Sequence, residues 1–81
     1  MSIKKEFNAI FKNFGDTNSY SSTLFLIVEW MNKYKNIIKN KPATVDFLSR
    51  VKDPTEEIQD IVDDFLYSDK YRGLRNEFAR K

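Results

Sequence analysis

Residues 23–39 read TLFLIVEWMNKYKNIIK, and how this stretch folds decides the architecture of the chain. Taken alone, Leu24-Phe25-Leu26-Ile27-Val28 could be a buried strand. The apolar pattern continues through Trp30, Met31, Tyr34, Ile37 and Ile38, which is helical spacing, so the stretch is predicted to be a helix from about Thr23 to Lys39. Placed at about 100° per residue, its apolar positions cover an arc of roughly 200°. A helix with one buried face needs an apolar stripe of little more than about 100°. This helix is therefore expected to pack on two sides, either as the centre of a bundle or against a second copy of the chain in a homodimer.

The same period recurs on both sides of it. Ile3, Phe7, Ile10, Phe11 and Phe14 share one stripe, with Lys4, Lys5, Asn8 and Lys12 away from it. Gly15 stands where a helix-ending glycine is expected. The polar run 16–22 follows, and its serines can cap the next helix. After Asn40-Lys41, Pro42 suits a first helical turn, predicting a short helix with Phe47, Leu48 and Val51 inward. Asp53-Pro54-Thr55-Glu56 has the form of a capping box: Asp53 as cap, Pro54 at the first helical position, Glu56 reaching back. Ile58, Ile61, Val62, Phe65 and Leu66 then form the stripe of a fourth helix. Ser68-Asp69 is expected to end it and to cap a last helix that turns Tyr71, Leu74 and Phe78 inward. The reading is an all-α, compact bundle of about five short helices with helix two central, a single domain over residues 1–81.

Composition closes off most chemistry. A chain of 81 residues buries only a little over roughly 60% of its unfolded surface, so its stability margin is thin. Cysteine and histidine are both absent, which removes disulfides and the usual zinc, haem and iron–sulfur ligands. Seven Phe, four Tyr and one Trp supply the bulk of the core instead. The remaining nucleophiles lack a positioned base and an orienting third group. Asp60, Asp63 and Asp64 share a helix face, but neither a calcium-loop pattern nor a second carboxylate cluster accompanies them. Gly15 and Gly73 are isolated, so no phosphate-cradling loop is present. No enzyme, cofactor or metal is expected. No apolar run approaches the ~20 residues of a membrane span, and the expected compartment is the cytoplasm. The many Lys and Asn residues fit AT-rich coding, as in a phage or an AT-rich bacterium.

Charge falls into three blocks that together give the net +2. Residues 1–41 carry seven cations against three anions, residues 42–69 two against eight, and residues 70–81 five against one. Pairing between the acidic helix and its basic flanks accounts for much of this. Two function classes remain. The first is a protein–protein interaction module, an accessory protein that binds and modulates a host or partner protein in anti-defence, host takeover or lysis control. Its candidate contacts are Tyr20, Tyr34, Tyr67 and Tyr71, because tyrosine combines apolar area with a polar tip. The second is a small nucleic-acid-binding regulator using Lys35, Lys39, Arg72 and Arg75 as phosphate contacts, with Ser49 and Arg50 the few side chains suited to base edges.

Overall fold

The computed structural model describes residues 2–79. Among them every regular element is helical: α1 (Ile3–Thr17), α2 (Tyr20–Lys33), the single turn α3 (Lys35–Ile38), α4 (Pro42–Lys52), α5 (Ile58–Tyr67), a 3₁₀ turn (Asp69–Tyr71) and α6 (Arg72–Phe78). The all-α expectation holds. The wide arc of α2 is also explained, because α1 packs along one side of it and α5 along the other. No described helix is long and apolar enough to cross a membrane.

Local chemistry sets most of the boundaries. Ser2 caps α1 by accepting from the Lys5 amide at 3.0 Å. Gly15 does not end that helix: the chain stays helical to Thr17, and Asn18 takes the left-handed conformation at φ 52°, its amide donating to the Phe14 carbonyl. Asparagine is among the few residues besides glycine that adopt this conformation cheaply. Ser19 then caps α2, which begins three residues earlier than expected, and accepts from the Ser22 amide. Pro42 opens α4 as anticipated.

Residues 53–56 behave differently from the expected capping box. The Asp53 carboxylate accepts from both the amide and the hydroxyl of Thr55, and the Glu56 amide closes a turn onto the Asp53 carbonyl at 3.1 Å. Helix α5 begins only at Ile58, with Glu57 in the cap position. Glu56 is drawn away by Arg50, whose Nε donates to it at 2.8 Å. Ile58, expected inward, consequently stands at the rim and is exposed.

The core is largely aromatic. Phe7 lies at its centre, with ring centroids 4.8 Å from Trp30, 5.5 Å from Phe65 and 6.4 Å from Phe78, tying α1, α2, α5 and α6 together. Phe65 continues the cluster to Phe47 at 5.3 Å and to Tyr71 at 6.1 Å. Thr23 is fully buried between α1 and α2, yet satisfied: its hydroxyl donates to the Ser19 carbonyl at 2.7 Å and accepts from Asn13. The radius of gyration of 11.7 Å is what a compact chain of this length gives, about 12 Å.

Candidate functional site

The long second helix of the sequence pattern is two helices, and the break falls at Tyr34. Neither glycine nor proline occurs between residues 23 and 39, so the interruption has a tertiary cause. The Tyr34 hydroxyl donates to the Glu6 carboxylate on α1, and the adjacent Lys33 ammonium reaches the same carboxylate at 2.8 Å. With the side chain fastened sideways, Tyr34 leaves helical geometry (φ −111°, ψ 20°) and α3 restarts one residue later. Ile38, seven positions after the buried Met31, fills the core at 0% exposure, and Ile37, at the flank of the same face, is 59% exposed.

Around this turn the side chains are unequally occupied. Lys35 and Lys39 are exposed and make no ion pair with any described residue. Lys41 donates to Glu77 on α6 at 2.7 Å, and Lys70 to Asp46 at 3.1 Å. Val45, in the first turns of α4, is 57% exposed.

The remaining candidates scatter. Tyr20 is half-buried against Phe14, and its hydroxyl donates to Asp63 at 3.1 Å; burial and that bond raise its pKa. Tyr67 is 66% exposed. Tyr71 is fully buried, its hydroxyl donating to Asp46, so it offers no surface. Arg72 is exposed and paired with Asp69 one turn away. Arg75 is half-buried and caps the end of α5, donating to the carbonyls of Phe65 and Ser68. Asp63 and Asp64 turn to different partners, Tyr20 and Arg50, so the acidic triplet is not one cluster.

Arg50, expected among base-edge contacts, is instead a structural hub. Its side chain is 14% exposed and donates to Glu56 at 2.8 Å, to Asp64 at 2.7 Å and to the Tyr71 hydroxyl at 3.4 Å. Burial opposes the charge, but these three partners outweigh it and hold the guanidinium pKa above its ordinary value. The sequence holds no signal for this hub, since its partners lie on the turn before α5, on α5 itself and on the 3₁₀ turn.

Two shallow grooves lie on the described surface. One of about 450 Å³ runs between α1 and α2 over Ile10, Leu26 and Trp30, with Glu29 and the Glu6–Lys33 pair at its rim. The other, about 300 Å³, lies between the start of α4 and α6 and is crossed by the Lys41–Glu77 pair. No family model matches the chain, no curated protein matches it, and no solved structure matches it.

Proposed function

We propose that this chain is a small non-enzymatic protein-interaction module, an accessory protein that binds and modulates a partner protein through the end of the bundle formed by α3. The observation that carries this is the exposure of Ile37. Burying an isoleucine stabilises a fold by about 1.5–3 kcal/mol. Ile37 makes no such contribution: its side chain is 59% exposed on the turn that follows Tyr34, whose hydroxyl is held by Glu6. Departures from local consistency of this kind concentrate where a surface serves something other than stability.

The test is affinity capture of the tagged chain from a lysate of its source or host cell, with and without nuclease, beside an Ile37→Asp variant. Ile37 is exposed, so the variant is expected to melt within about 0.5 kcal/mol of wild type. A stoichiometric protein retained by the wild type after nuclease and lost by Ile37→Asp supports the reading. Equal retention by both, or loss of all bound protein on nuclease treatment, refutes it.

A further inference from the structure

The groove between α1 and α2 is crossed at both ends. At one, the Asn13 side chain donates from α1 to the hydroxyls of Ser22 at 3.2 Å and Thr23 at 3.4 Å on α2. At the other, the Lys33 ammonium reaches back to Glu6 at 2.8 Å. Glu6, Ile10 and Asn13 recur at helical spacing on α1, as do Ser22, Leu26, Glu29 and Lys33 on α2, so crossings and groove share one face of each helix. Along α1 the two crossings are separated by a rise of about 10 Å, at 1.5 Å per residue from Glu6 to Asn13. Between them Ala9, Ile10, Leu26 and Trp30 line a space of about 450 Å³, a size that takes a small organic molecule. The charged groups at the rim are unequally used. Glu6 accepts from Lys33 on one carboxylate oxygen and from the Tyr34 hydroxyl on the other. Glu29 is exposed and has no ion-pair partner among the described residues.

We infer that this groove binds a small organic cation, an ammonium group on an apolar body no longer than the groove, with Glu29 as its counter-ion and Ile10, Leu26 and Trp30 as the surface its body covers. The site is separate from Ile37, and the two proposals stand or fall independently. Charge selects the ligand class. An anion would meet two carboxylates and one lysine that Glu6 already neutralises. A neutral apolar molecule would draw water away from the Glu29 carboxylate and offer it no partner, which costs free energy. A cation with an apolar body covers the walls and supplies that partner in one molecule. The crossings select its size. A helix or strand laid along the groove would run into the Asn13 bridge at one end and the Lys33 bridge at the other, whereas a short molecule fits between them.

Trp30 is the one tryptophan of the chain and lines the groove, so its fluorescence reports occupancy. The probes are 4-phenylbutylamine, 4-phenylbutanol and 4-phenylbutyrate, which share one carbon skeleton and differ in charge. The amine is expected to give a saturable change with a Kd about two- to fivefold below that of the alcohol, the effect of one exposed ion pair, and the carboxylate to bind weakest. Glu29→Gln keeps the shape of the side chain and should bring the amine to the affinity of the alcohol while leaving the alcohol unchanged. Ala9→Phe fills the groove and should weaken the amine and the alcohol at least tenfold. Both substituted side chains are exposed, and circular dichroism confirms that each variant is folded. Amine binding no tighter than the alcohol, amine binding unmoved by Glu29→Gln, or a fluorescence response that survives Ale9→Phe overturns the inference.

Discussion

Replacing Arg50 with methionine tests the central electrostatic claim about this fold, because methionine keeps most of the apolar stem and deletes only the charged fork. Two ion pairs are lost, at 2.8 Å to Glu56 and 2.7 Å to Asp64. Removing one partner of a fully buried pair costs about 3–5 kcal/mol, whereas an exposed pair contributes about 0.2–1 kcal/mol. Arg50 is at the buried end of that range at 14% exposure, but its carboxylates are at 30% and 41% and rehydrate when released. About 1 kcal/mol per pair, or about 2 kcal/mol in all, follows from interpolating between those limits. For a domain of this size each kcal/mol moves Tm by roughly 4–8 °C, so Arg50→Met should melt about 8–16 °C below wild type by far-UV circular dichroism. Lys12→Met is the control: its pair with Asp16 is 3.1 Å long and exposed on both sides, and its loss should cost under about 0.5 kcal/mol. If the two variants melt together, the hub contributes no more than a surface pair and the reasoning fails. A double-mutant cycle with Asp64→Asn should also show positive coupling.

Tyr71→Phe should flatten the pH dependence of stability at both ends. Burial, and then the bond to Asp46, push the Tyr71 pKa up to about 12, so its contribution is complete below its unfolded value of about 10 and is lost as pH rises toward 12. The Tyr71 hydroxyl, followed by Lys70, holds the Asp46 carboxyl below the ordinary carboxylate range; that contribution is present above about pH 4 and is lost as pH falls further. Thermal melts across pH that run parallel for variant and wild type would refute this. Gly15→Ala and Gly73→Ala should each stabilise by about 0.5–1 kcal/mol, since both glycines are helical and an added methyl meets nothing within 4 Å. Destabilisation in urea melts would contradict it. Thr44→Val should stabilise by about 1 kcal/mol, because the Thr44 hydroxyl is buried with no hydrogen-bond partner among the described residues; a clear loss would show that the hydroxyl is satisfied.

What the sequence showed and what it concealed divide along a physical line. The inward residues of α1, α4 and α6 were legible because apolar spacing reflects burial directly, and Phe7, Phe47, Leu74 and Phe78 are all buried. The capping box at Asp53 was not, although its residues are the right ones. A cap contributes about 0.5–2 kcal/mol, and Glu56 finds in the nearly buried Arg50 a charge-assisted bond of comparable or greater strength. Local capping and a partner from the neighbouring helix compete for one carboxylate, and only the folded chain shows which prevails. Arg75 follows the same rule: its sequence neighbourhood is basic and exposed in character, but its guanidinium is spent on the open carbonyls at the end of α5.

The candidate site was hidden for a related reason, and the way it was hidden bears on its meaning. Lys35 and Lys39 were visible as a basic segment, but the antiparallel packing that sets the first turn of α1 against the last turn of α2 was not. Ile37 was counted with the core because its spacing from Trp30 is helical. Both meet at Glu6, which holds Lys33 and the Tyr34 hydroxyl where α2 gives way to α3. Glu6 has spent its charge on the end of α2. Its replacement by glutamine would weaken both holds on that break, and capture that depends on Ile37 is expected to weaken with it.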